Sequence, residues 1–177
     1  MANFAKPTVG IVTTPKTLSE EVVKILTARI ADEYTAHYFY KNAANWCKGV
    51  AYNTAGAFYE AEAAAELEHA YKLQDYLVSW GIQPEIPQVN TTANFDSLPD
   101  TIQKAYELEY DLFEKYNADS TALFPIDLAT FDFLTYFRTN QNDSVAEYSD
   151  LLNALELFNL ENKLDIIHFE EIYFKGS

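Results

Sequence analysis

The chain of 177 residues has the length of one domain with a sizeable core. Its hydrophobic share of 49 % and aromatic share of 15 % exclude a disordered chain. With 27 acidic against 12 basic residues the formal charge is −15, a field that repels nucleic acid and anionic membrane and attracts cations.

Residues 1–16 read as an N-terminal extension that lacks the basic start and apolar centre of a secretory signal. Thr17 or Ser19 can then cap a helix, with Glu20 and Glu21 favourable in its first turn. Val22, Ile25, Leu26, Ile30, Tyr34 and His37 recur at helical spacing, and the pattern runs to about Cys47. The stretch "KGVAYN" makes a turn at Gly49, and a second helix runs from about Thr54 to Trp80, stopped by Gly81 and Pro84. "GIQPEIPQVNTTANFDSLPD" follows, with no helical period; a connection that long crosses the structure. A third helix starts near Asp96 or Ser97, takes Pro99 in its first turn and continues to about Ala118. "NADSTALFPID" turns the chain, and a fourth helix covers roughly Leu128 to Leu157. The tail, 158–177, contains "ENKLDIIHFEEIYF" and predicts a short fifth helix.

Two short connections and one long one specify an all-α fold, a four-helix bundle over 17–157 with a single crossover. The lone Cys47 cannot form an internal disulfide and fits a reducing compartment. No apolar run reaches the ~18 residues of a membrane span. A soluble, cytoplasmic protein is expected.

Within "EAEAAAELEHAYKLQDYL", Glu66 and His69 stand three apart and so share a helix face. Alone, such a pair on an acidic helix is ordinarily a solvated one. Its partners on other helices change that reading. About a first turn centred near residue 50, Glu33 and Glu66 fall at the same height. About a second turn near residue 123, Glu109 and Gln141 differ by roughly 6 Å at ~1.5 Å per residue. One layer can thus hold Glu33, Glu66, His69, Glu109 and Gln141. Carboxylates and imidazole suit iron or manganese, and several buried carboxylates repel unless cations neutralise them.

These segments, from about residue 20 to 155, resemble the non-haem ferritins of the ferritin-like superfamily. "EYTAHYFYKNAANWC" is similar to their first helix, "GAFYEAEAAAELEHAYKLQDYL" to the second, "IQKAYELEYDLF" to the third and "FDFLTYFRTNQ" to the fourth. The resemblance implies a ferroxidase: two Fe(II) ions per subunit, oxidised by dioxygen and stored as ferric mineral. It gives Glu33 and His69 to the first iron, Glu66 as the bridge and Glu109 to the second. It makes Gln141 the group that orients bound water or peroxide, and Tyr40 a source of an electron or a hydrogen bond. It also implies a homo-oligomer, the 24-subunit cage, with neither nucleic acid nor membrane as partner.

The chain departs from the family at three positions. Ser144 stands where many bacterial members carry another Glu, which animal heavy-chain-like ferritins also lack. Ala65 and Asn140 replace the carboxylates of a third iron site, so the resemblance does not extend to that site. His37, four residues after Glu33, reads as a satisfied helix histidine, and His168 as part of an acidic solvated face. A DNA-protecting mini-ferritin is disfavoured, because the ligands lie on successive helices of one chain and the first 16 residues hold only two lysines. A non-catalytic ferritin-like shell is the alternative.

Overall fold

A computed structural model describes residues 16–174. The N-terminal extension, apart from Lys16, and the last three residues lie outside the described range. The elements are α1 (Glu20–Gly49), α2 (Asn53–Ser79), α3 (Leu98–Leu123), α4 (Leu128–Leu155) and α5 (Lys163–Tyr173). Among the described residues there is no strand, and no helix is long and apolar enough to cross a membrane.

Local chemistry sets most of the boundaries. Ser19 accepts the Val22 amide at 3.3 Å and so starts α1. Gly81 takes φ +74°, the left-handed geometry that ends α2 with little strain. Ser97 caps α3 through the Asp100 amide and Asp127 caps α4 through that of Thr130, at 3.2 and 3.0 Å. Asn162 does the same for α5 through Leu164 at 3.0 Å. The start of α2 is different: Tyr52 offers it no side-chain cap. Instead Glu170 of α5 accepts the amides of Thr54 and Ala55 at 2.7 and 2.9 Å.

α3 runs to Leu123 rather than Ala118, because residues 119–123 hold no breaker and bury Ser120 and Leu123. Pro125 is what stops it. The longer helix removes the expected height mismatch. Glu109 lies 14 residues before the end of α3 (123 − 109) and Gln141 lies 13 after the start of α4 (141 − 128).

α1 packs along α2 and α3 along α4, with α1 against α3, while the connection over residues 80–97 joins the two pairs. The buried apolar side chains form two clusters. One gathers Leu26, Ile30, Leu73, Leu77 and Leu134; the other gathers Ala43, Ala63, Ile102, Leu151 and Phe169. At roughly 25 cal/mol per Å² of apolar surface removed from water, burial of this kind holds the helices together. Polar residues interrupt it between the two clusters.

Candidate metal centre

Each of the four long helices sends one polar side chain into that interruption. Glu33, Glu66, Glu109 and Gln141 are 1 %, 4 %, 0 % and 5 % exposed. Leaving three carboxylates there among Ala, Leu and Tyr costs several kcal/mol per unpaired ion, on the order of a small domain's whole stability. Something must offset that cost.

Part of the compensation is internal. His69 Nδ1 lies 3.0 Å from Glu66 Oε2 and 3.7 Å from Glu33 Oε2. Glu33, Glu66 and His69 offer ligand atoms that all lie within 4.8 Å of one another. Glu109 sits in the same layer, but its oxygens are engaged elsewhere: Tyr40 donates its hydroxyl to Oε1, and Gln141 donates Nε2 to Oε2. The Gln141 amide also donates to the Glu109 carbonyl at 3.0 Å, which locks α4 onto α3 at this level.

The electrostatics show how unbalanced the layer is. Burial, then the Glu33 charge, hold Glu66 well above the usual carboxylate range. Glu109 is pushed up to about 7 by burial and the charges of Glu33 and Glu62, against hydrogen bonds from Tyr40 and Gln141. Burial also works against Glu33, but its bonds to His69, Glu66 and Tyr116 outweigh it and lower its pKa. His69 is driven up to about 11, since the two carboxylates overcome its burial. The raised Glu66 and His69 values mark the layer as short of positive charge. Glu33 Oε2 makes no hydrogen bond of normal geometry. An oxygen-rich, imidazole-bearing pocket with an orphaned carboxylate oxygen fits a divalent transition metal.

Sequence reasoning missed one member of this constellation. Tyr116 of α3 donates its hydroxyl to Glu33 Oε1 from a fully buried position. Arg29 stands behind it, 5.9 Å from the ring centre, paired with Asp32 at 3.0 Å and Asp119 at 3.3 Å. The signal was present in the sequence: Tyr116 follows Glu109 by the seven residues that separate Tyr40 from Glu33.

Of the remaining expectations, His37 is satisfied, its Nδ1 lying 2.6 Å from the Ala63 carbonyl. His168 is exposed and packs beside Phe158. Among the described residues only Glu33, Glu66 and His69 form a group of three candidate metal ligands. Ser144 is half-buried one turn beyond Gln141, and Cys47 is buried with its thiol pushed up to about 12 by burial and the Glu170 charge.

Comparison with known proteins agrees with the architecture. The solved structure of an open-pore ferritin from the hyperthermophilic archaeon Archaeoglobus fulgidus superposes with a TM-score of 0.81 at 20 % identity, over 91 % of this chain and 100 % of that one. A humanized archaeal ferritin gives 0.84 at 20 % identity, over 91 % and 99 %. At that identity the likeness is one of fold. In sequence, the bacterial non-heme ferritin of Campylobacter jejuni is 33 % identical over 142 residues, 79 % of this chain and 85 % of that protein. A probable bacterial non-heme ferritin-like protein of Haemophilus influenzae is 28 % identical over 148 residues, 82 % and 90 % of the two chains. The Ferritin family model, described as a ferritin-like domain, matches residues 23–158. That match encloses every residue of the buried polar layer, and the chain belongs to the ferritin family.

Proposed function

We propose that this protein stores iron and is a ferroxidase, with a two-iron centre in the buried layer of each subunit. The observation that carries the reading is the convergence of Glu33, Glu66 and His69, whose ligand atoms lie within 4.8 Å in the bundle interior. Glu33 and His69 would hold one Fe(II), Glu66 would be shared by the two ions, and Glu109 would hold the second by giving up one of its two internal hydrogen bonds. Each Fe(II) gives up one electron and dioxygen takes both. A hard, carboxylate-rich shell stabilises Fe(III) over Fe(II) and so favours that direction. Gln141 keeps the Glu109 carboxylate in place, its Nε2 donating both to Oε2 and to the backbone carbonyl of that residue. Tyr40 and Tyr116 restrain the Glu109 and Glu33 carboxylates through their hydroxyls.

Family membership supports a homo-oligomeric store, and we infer the 24-subunit cage, located in the cytoplasm. A sedimentation or mass-photometry measurement of the particle decides between a cage and a dimer. For the chemistry, Fe(II) added in air at two per subunit should give fast Fe(III) absorbance, slowed sharply by Glu66→Ala. A wild-type rate no faster than buffer overturns the ferroxidase reading in favour of a non-catalytic shell, a role for which Ser144 and the unusual tail are the sequence motives.

A further inference from the structure

The chain has two arginines, and the fold treats them differently. Arg29 is buried and paired with Asp32 and Asp119 at 3.0 and 3.3 Å. Arg138, half-buried on α4, makes no ion pair among the described residues, in a chain with 27 acidic side chains. Its side chain folds back towards the start of α4, the direction in which helical side chains lean. The guanidinium carbon lies 4.6 Å from the centre of the Phe131 ring, two turns earlier on the same face. Nη1 donates to Ser120 Oγ near the end of α3 and, at 3.5 Å, to the Phe131 carbonyl; Nη2 donates to Thr135 Oγ1 at 2.6 Å. All three acceptors are neutral. The positive charge is thus fixed in plane and place but not neutralised, and Nε–H makes no hydrogen bond among the described residues.

A recess of ≈ 390 Å³ opens beside this group in the notch between α3 and α4, lined by Asn117, Ser120, Thr121, Phe124, Phe131 and Arg138. None of the six is a carboxylate, although the whole chain carries −15. Two of them keep a donor in hand. Ser120 is buried, and beyond the bond it accepts from Arg138 its hydroxyl makes no other among the described residues. Asn117 gives one amide proton to the Phe113 carbonyl at 3.0 Å and keeps the second. Thr121 is different, its O–H being spent on the Asn117 carbonyl at 2.8 Å. Phe124, 59 % exposed, meets Phe131 edge-on with ring centres 5.2 Å apart and gives the recess an apolar wall. An apolar wall with a few convergent polar groups, at volumes from about 300 Å³ upward, is the make-up of small-molecule sites.

We propose that this recess binds a phosphate group, free or carried on a small ester. The planar guanidinium, held by Phe131, Ser120 and Thr135, offers its remaining N–H donors to the oxygens of one oxyanion, a pairing that Arg makes better than Lys. Ser120 and Asn117 add neutral donors, and Phe124 receives the apolar remainder of an ester. The charge of the whole chain opposes any anion at long range, so binding comes from these short contacts alone. The recess shares no residue with the buried polar layer, and the proposal therefore stands apart from the iron chemistry.

Inorganic phosphate added to the metal-free, full-length protein tests it, because no iron is then present to capture the anion. Titration calorimetry, checked by line broadening in phosphorus NMR, should find one saturable site per subunit. Arg138→Lys keeps the charge but loses the fork, and should weaken binding roughly tenfold or more. Ser120→Ala should weaken it severalfold, and serves alone if the Arg138 change disturbs folding. Phenyl phosphate separates the two sources of the ligand. Tighter binding than inorganic phosphate, lost in Phe124→Ala, identifies an ester, and equal binding identifies the free ion. No saturable binding to the wild type, or binding unchanged in both Arg138→Lys and Ser120→Ala, overturns the proposal. So does a wild type indifferent to phosphate whose particle mass changes in Arg138→Gln, for the guanidinium then meets a carboxylate of a neighbouring subunit.

Discussion

Tyr40 and Tyr116 answer one another across the bundle. Each stands seven residues after a glutamate of its own helix and donates its hydroxyl to the glutamate of the other: Tyr40 of α1 to Glu109, Tyr116 of α3 to Glu33. The spacing of two helical turns brings each tyrosine onto its glutamate's face, and the antiparallel crossing of α1 and α3 exchanges the partners. Both hydroxyls are held well above their ordinary pKa, by burial first and then by the Glu109 charge for Tyr40 and the Glu33 charge for Tyr116. They remain neutral donors across the physiological range.

Removing one of these donors should therefore be felt in the metal-free fold as well as in the chemistry. Tyr116→Phe strips Glu33 of its donor and leaves a buried carboxylate short of a partner, at a cost of about 1–3 kcal/mol. Urea unfolding of the metal-free protein should show that loss, and saturating Zn(II) should recover part of it, because the metal takes over the freed oxygen. Fe(II) oxidation should slow as well, since Glu33 is no longer held to face the metal. A Tyr116→Phe protein equal to wild type in both respects would mean that His69 and the remaining layer hold Glu33 unaided.

Glu62 of α2 gives a pH dependence whose sign can be worked out. Burial, then the Glu147 charge, raise Glu62 from 4.5 to about 7. Between those values the folded, metal-free protein keeps a proton that the unfolded chain has lost. The stability this group contributes is complete below pH 4.5 and is lost as pH rises through about 7. Glu62→Gln is neutral at every pH. Its stability relative to wild type should grow from near zero at pH 4.5 to on the order of 1–3 kcal/mol at pH 8. Chemical denaturation of both proteins in the presence of chelator at the two pH values measures it, and a difference that does not move with pH would contradict the assignment.

Glu170 reaches from α5 to cap α2 over a separation of 115 residues. Two backbone amides at a helix N-terminus, bonded by a carboxylate, are worth about 1–2 kcal/mol. Glu170→Ala should lower stability by that amount and raise hydrogen exchange at the Thr54 and Ala55 amides, while Glu170→Gln should retain most of it. Exchange at those two amides unchanged in Glu170→Ala would show that α5 does not hold the start of α2.

Metal itself should act as a stabilising ligand. A cation that binds only the folded state at a hundred times its dissociation constant adds ~2.7 kcal/mol. Zn(II) should raise the melting temperature of wild type and much less that of Glu66→Ala, which lacks the carboxylate shared between Glu33 and His69. Equal shifts in the two proteins would locate the stabilising metal elsewhere.

Much of this molecule is decided by local chemistry and so is legible in the chain itself. Ser19, Ser97, Asp127 and Asn162 cap helices by bonds to amides two or three residues away, and Gly81 and Pro125 stop helices through their own backbone. Spacing also brings Glu66 and His69 to one face and, through short turns, Glu33 level with Glu66. What spacing does not contain is the rotation of one helix against the next. That rotation decides that Glu33, Glu66 and His69 converge while Glu109 turns its oxygens to Tyr40 and Gln141. It also places Glu170 on the uncapped start of α2, a partner no local pattern announces. Caps and breakers act through bonds that one chain segment makes with itself, whereas the direction of a side chain across a bundle is fixed only when four apolar faces are buried together.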